Sequence, residues 1–150
     1  MKLQWDFSEL TQFADRLSDK QEFEAAIMTA TQNVSKVLHR YLVKNTPVDT
    51  GNLKTMWNAG DNLNFTVKRV NGGYEVTFYN TASNNKSPKY PNFQYGLAVN
   101  DGHKKPGGVG WVMGKFFVEK SILTVENQKQ FEEMIYKELS KWWRKTVNGK

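Results

Sequence analysis

Three short stretches carry residue types that could do chemistry. Asp49-Thr50-Gly51 spells the triplet of aspartic proteases. That chemistry needs two carboxylates sharing one proton, hence a second such loop or a second copy of the chain. Here the triplet follows Pro47 and precedes Asn52-Leu53-Lys54, a polar helical start. The expected role is therefore a cap at Asp49 or Thr50 and a turn at Gly51. Gly108-Val109-Gly110-Trp111-Val112-Met113-Gly114 has the glycine content of a phosphate loop. Its spacing departs from G-x-G-x-x-G, bulky Trp111 sits where close backbone approach is wanted, and no Gly-Lys-Ser/Thr follows. A flexible loop leading into the next helix is expected instead. His103 stands beside Asp101, Lys104 and Lys105, but a general base needs a reacting group within reach. No serine motif is near, so a surface histidine is expected. His39, late on a helix, is expected to bond local acids or carbonyls.

Composition narrows the chemistry further. The chain has 150 residues, no cysteine and two histidines. Disulfides, thiolate zinc sites and thiol catalysis are excluded. Two imidazoles do not make a multi-histidine metal site within one chain. No run approaches the length of a membrane span, and Met1–Asp6 lacks the apolar region of a signal peptide. Hydrophobic residues make up 39% of the chain, which argues for a core rather than disorder. The net charge of +6 is lopsided: residues 1–35 carry −3 and residues 36–150 carry +9. Such asymmetry suits complementary faces, toward nucleic acid or toward another copy of the chain.

The elements that must position these groups follow from periodicity. Residues 8–18 read as a short helix capped by Ser8, with Leu10, Phe13, Ala14 and Leu17 on one face. A second helix is predicted over 19–44, because Phe23, Ile27, Ala30, Val34, Val37, Leu38 and Tyr41 draw one apolar stripe. Acids gather at its start and bases at its end, which suits the helix dipole. A one-sided helix must bury its stripe, most simply against a sheet. Asn45-Thr46-Pro47 stops it, and a short helical segment is predicted up to about residue 57. Strands are predicted over 63–70 and 74–80, joined by Asn71-Gly72-Gly73. Residues 81–94 read as a long polar loop, 95–99 as a third strand, and 100–110 as a Gly/Lys-rich loop. The pattern turns helical from Lys115, anchored by Phe116, Phe117 and Ile122. A final helix over 126–145 puts Phe131, Ile135, Leu139 and Trp142 on one face. The fold class is thus α+β: a long N-terminal helix packed on a small antiparallel β-sheet with C-terminal helices, in one domain of residues 1–150.

Lys86, Lys89, Lys104, Lys105, Lys115 and Lys120 oppose only Asp101 and Glu119 across residues 81–120, with Tyr90, Phe93, Tyr95 and Trp111 interleaved. Cations with aromatics are what single-strand binders use. A small basic nucleic-acid-binding protein is the alternative that composition supports. Trp142 and Trp143 point about 100° apart on a helix, so both cannot enter one core face. They are candidates for a partner surface.

The segment Asn45-Thr46-Pro47-Val48-Asp49-Thr50-Gly51-Asn52-Leu53, followed by Trp57, resembles the helix-ending turn of the tail-completion (tail-to-head joining, neck) proteins of tailed bacteriophages. Tyr95-Gly96-Leu97-Ala98-Val99-Asn100-Asp101-Gly102-His103 is similar to their second element, with Asn100 where glutamate is common. Gly114-Lys115-Phe116-Phe117 is similar to their third. The resemblance covers about residues 20–123 and stops short of the Trp-rich final helix. It implies a structural, non-enzymatic virion protein with no cofactor and no metal. It implies a homo-oligomeric ring, six copies by the symmetry of the tail, at the neck and assembled in the host bacterial cytoplasm. The implied partners are further copies of the chain, head-connector or head-closure proteins, and tail terminator or tube proteins. Non-specific contact with DNA in the lumen is implied, and no membrane. On this reading Lys86, Lys89, Lys104 and Lys105 face neighbouring subunits or DNA, and Trp142 and Trp143 face a partner.

Overall fold

The computed structural model describes residues 1–9, 20–48, 52–59, 62–82, 96–105 and 107–148. In chain order these form β1 (Lys2–Asp6), α1 (Lys20–Asn45), α2 (Asn52–Thr55), β2 (Asn58–Ala59), β3 (Asn62–Leu63), β4 (Phe65–Val70), β5 (Gly73–Phe78), α3 (Gly96–Asp101), β6 (Gly102–Lys104), β7 (Trp111–Met113), α4 (Phe117–Asn127) and α5 (Gln130–Asn148). The α+β class expected from periodicity is observed. The capped helix expected over 8–18 and the polar loop expected over 81–94 lie largely outside the described residues. The chain divides into two compact units.

The first unit comprises Met1–Leu38, Phe65–Phe78 and Val125–Lys150. Its sheet runs β1-β5-β4, antiparallel throughout. The hairpin β4–β5 forms as its alternation predicts: Tyr74, Val76 and Phe78 are buried, while Glu75 and Thr77 on the other face are half-exposed. Strand β1 was not expected. Only two of its five residues, Leu3 and Trp5, are apolar, and its partner β5 lies about 70 residues away in register Leu3↔Val76 and Trp5↔Tyr74. Helix α1 lays Phe23 and Ile27 on this sheet, and α5 brings Phe131, Ile135, Leu139 and Trp142 to the same core. Trp5 stacks on Phe131 with ring centroids 5.1 Å apart, and Phe23 meets Trp142 edge-on at 5.2 Å. Arg69 forks onto Glu24 with two 2.6 Å hydrogen bonds, the bidentate geometry that guanidinium favours. The Tyr74 hydroxyl donates to the Glu24 carbonyl at 3.2 Å, and burial raises its pKa above the ordinary tyrosine value.

The second unit comprises His39–Asn64 and Tyr79–Thr124. It corrects the sequence reading at three points. Residues 96–101 are helix α3, not the strand expected over 95–99. A three-residue apolar run, Leu97-Ala98-Val99, is too short for its period to separate strand from helix. Of the loop expected over 100–110, Asn100 and Asp101 end α3 and Gly102–Lys104 form β6, which pairs with β7 as a hairpin in register His103↔Val112. Phe116 does not anchor the next helix. It precedes α4, exposed and with φ at 49°, while Phe117 is buried.

Candidate functional site

The motif residues of the second unit form a linked set of polar contacts. Pro47 ends α1, and Thr46 occupies the turn before it. The Thr46 N–H donates to the Leu42 carbonyl at 3.0 Å, and its hydroxyl donates to the same carbonyl at 2.5 Å. That hydroxyl also accepts the Trp57 indole N–H at 2.7 Å. The Trp57 carbonyl in turn lies 2.8 Å from His39 Nε2 and accepts the Asn64 N–H at 3.2 Å. A carbonyl only accepts, so Nε2 carries a proton here. His39, Thr46 and Trp57 are all buried. The Trp57 ring meets Phe117 edge-on, and Ser121 on α4 donates to the Phe117 carbonyl at 2.6 Å while accepting from Asn45 at 3.0 Å. The side chain of Asn80 ties down α2 through the Leu53 carbonyl at 2.7 Å. Asp49-Thr50-Gly51 lies outside the described residues.

Asn100 is the second centre. Its carbonyl accepts the Phe116 N–H at 3.0 Å, and its side-chain oxygen accepts the Val118 N–H at 3.0 Å. It thereby caps α4 from a different segment of chain, satisfying a donor that the first helical turn leaves open. Its amide nitrogen donates to Asp101 Oδ1 at 2.7 Å and to both oxygens of Glu119 at 3.1 Å. Asn100 is buried. A neutral amide suits this place because it gives to two carboxylates and takes from an N–H at once. Glutamate, common here in the proteins the chain resembles, could not give to either carboxylate.

The hairpin β6–β7 grows out of that centre. Gly102 has φ near 89°, and a Cβ there would meet the Val112 carbonyl at 2.5 Å and Trp111 Nε1 at 2.6 Å. The Trp111 indole thus lies against this glycine. A Cβ on Gly114 would fall 2.3 Å from the Asn100 carbonyl, so the return strand also needs glycine at its end. The Gly108–Gly114 stretch is therefore a turn and a strand, with no helix directly after it to cradle a phosphate. His103 is exposed, with Nδ1 3.3 Å from the Ala98 carbonyl. Lys104 and Lys105 are exposed on the hairpin; Lys86 and Lys89 lie outside the described residues. On α5, Trp142 is buried and Trp143 is exposed, as helical geometry requires of neighbours.

Asn100, Thr46 and Trp57 were legible only as parts of a resemblance, since their roles are long-range. The run Trp111-Val112-Met113 bounded by glycines is a strand signature that the glycine-loop reading absorbed. Among the described residues, no group of His, Asp or Glu side chains could hold a metal ion, and no helix is long and apolar enough to cross a membrane. The first unit has a cavity of about 180 Å³ lined by Phe23, Ile27, Tyr74, Arg69 and Glu24 among other described residues.

Residues 8–102 match the sequence profile of the bacteriophage HK97-gp10-like family, described as a tail component. No curated protein and no solved structure matches the chain. The match spans more than half of the sequence, and the chain belongs to this family.

Proposed function

From that membership we propose that the chain is a ring-forming subunit of the head-to-tail neck, a non-enzymatic protein joining the tail to the head connector of a phage or phage-tail-like particle. A tail component works in the virion against other virion proteins. The observation that carries the finer reading is the use made of the motif residues. His39, Thr46, Trp57 and Asn100 spend their polar groups on one another, on main-chain carbonyls and on a helix cap. Groups committed in this way hold a shape, which a building block needs.

The reading extends to six copies facing a six-fold tail, in contact with head-connector or head-closure proteins on one side and tail terminator or tube proteins on the other. DNA would cross the lumen. Lys86, Lys89, Lys104 and Lys105 remain the proposed contacts to neighbouring subunits or DNA. The exposure of Lys104 and Lys105 supports their part in it. The partner surface proposed at Trp142 and Trp143 narrows to Trp143, with Trp142 supporting it from the core.

The test is removal of the protein from the producing host. Filled heads and finished tails should then accumulate unjoined. Joined, infectious particles without it would overturn the proposal. The alternative, a small basic nucleic-acid-binding protein, predicts sub-micromolar DNA affinity that falls steeply with salt.

A further inference from the structure

Strands β6 and β7 have three residues each, and among the described residues they pair only with one another. Residues His103–Lys105 and Gly107–Met113 are all exposed. A lone two-stranded hairpin is marginal in water. Yet this one displays Trp111 at 53% exposure, Met113 at 72% and Val109 at 85%, beside Lys104 and Lys105. Such a segment gains most by laying its apolar side chains on another surface.

A matching surface exists on α5. Its core stripe runs through Phe131, Ile135, Leu139 and Trp142. A second stripe, about 100° around the helix, holds Tyr136, Trp143 and Val147, spaced by seven and four residues. Tyr136 is 76% exposed and Trp143 57%. Glu132 and Glu133 stand one turn before Tyr136, exposed on either side of the stripe. Among the described residues, neither these two glutamates nor Lys104 and Lys105 form an ion pair with another side chain.

We propose that the 102–113 hairpin of one copy docks on the Tyr136–Trp143–Val147 face of α5 in the next copy, with Lys104 and Lys105 meeting Glu132 and Glu133. The inference rests on the ring-subunit reading and names its contact. Two different patches on one chain make a head-to-tail contact, the kind that builds a ring where the rotation between copies closes. The charges are of opposite sign, and both patches carry exposed tryptophan, an anchor residue type of interfaces. Nucleic acid fits the hairpin less well. Apolar side chains outnumber its two lysines, and Met113 and Val109 offer nothing to a phosphate.

The test uses the absence of cysteine from the chain. Met113→Cys and Trp143→Cys are made on separate copies, mixed, and treated with a short bifunctional maleimide, in solution and in assembled particles. Cross-links between 113 and 143 should exceed those joining like positions by about tenfold, because only unlike patches meet in a head-to-tail contact. Lys104→Glu/Lys105→Glu on the first copy, or Glu132→Lys/Glu133→Lys on the second, should each cut that yield about tenfold, and combining them should restore most of it. Oligomers without 113–143 cross-links would overturn the docking and leave the ring reading standing. Protection of the hairpin by a single-stranded oligonucleotide, with no 113–143 product, would also overturn it. One copy per particle by quantitative mass spectrometry would overturn the ring reading itself.

Discussion

Both units of the chain bury apolar side chains, but their aromatic and side-chain hydrogen-bond contacts are distributed differently. The unit built on the β1-β5-β4 sheet is joined by rings: Phe7, Phe23, Tyr74 and Trp142 at its centre, with Trp5 and Phe131 stacked at its edge. The unit holding α2, α3 and the hairpin is joined by side-chain hydrogen bonds, from Thr46 and Trp57 to Asn100 and Ser121. All three segments that resemble tail-completion proteins fall in this second unit. The difference teaches where sequence identity is demanding. An apolar contact accepts many shapes of similar volume, whereas a buried donor needs one acceptor at one distance and angle. A motif is the trace left by such pairings.

The largest loss is expected in the ring-built unit. Phe23→Ala should cost about 3–5 kcal/mol by lost burial and the cavity left against Trp142. Chemical denaturation followed by near-ultraviolet circular dichroism would measure it. A loss under 1 kcal/mol, on the order of a surface change, would show that Phe23 is not central. The bond-built unit should respond to smaller edits. Thr46→Val keeps the shape but leaves the Trp57 indole N–H buried without an acceptor, for a cost of about 1–3 kcal/mol. Thr46→Ser keeps the hydroxyl and should recover much of that. Equal losses in both variants would mean that the methyl group, not the bond, matters.

Legibility in the sequence followed the same division. The α1 stripe, the β4–β5 alternation and the Phe131–Trp142 face could be read directly, because each repeats at a fixed period over many residues. Strand β1 could not, since its pairing with β5 is decided across the length of the chain. The hairpin was hidden by composition: glycines and lysines at its turn look like loop, and three residues give a strand no period. Helix α3 was lost for the same reason, and the cap that Asn100 gives α4 joins it to Val118 and Glu119 about 20 residues on. Of the candidate residues, the exposure of Lys104 and Lys105 and the split between Trp142 and Trp143 could be anticipated from charge and helical geometry. The proposed pairing of the hairpin with the outer face of α5 needed exposure, which periodicity does not report.

Asn100 offers a sharper edit within the bond-built unit. Asn100→Asp keeps the acceptor for the Val118 N–H but replaces the amide that donates to Asp101 and Glu119. Three carboxylates would then share one corner. Asp101 and Glu119 are exposed, so solvent screens the repulsion and the expected cost is about 1–2 kcal/mol near pH 7. The new carboxyl would be disfavoured in its charged form, raising its folded pKa. Its stability deficit should therefore vanish below the ordinary aspartate range and grow as pH rises through it. Melting temperatures of both proteins between pH 4 and pH 8, on the order of the range where carboxyls finish titrating, would show converging curves at the acid end. Parallel curves would mean that the amide's donations are not what holds this corner.

The smallest effect belongs to the ring-built unit, at a surface hydrogen-bond pair at the end of β1. Asp6 accepts the Ser8 hydroxyl at 2.6 Å and the Ser8 N–H at 2.8 Å. These two bonds lower its pKa below the ordinary aspartate value, the hydroxyl contributing most. The carboxylate form is therefore favoured by folding. Its contribution is complete above the unfolded pKa and is lost as pH falls through the folded one. Ser8→Ala removes the larger of the two bonds. Nuclear magnetic resonance titration should then find the Asp6 carboxyl closer to its ordinary value, with a melting temperature at neutral pH nearly unchanged because the group is fully exposed. A large thermal loss in Ser8→Ala would contradict the contrast drawn between the units. It would mean that a surface hydrogen bond, and not ring packing, holds β1 in place.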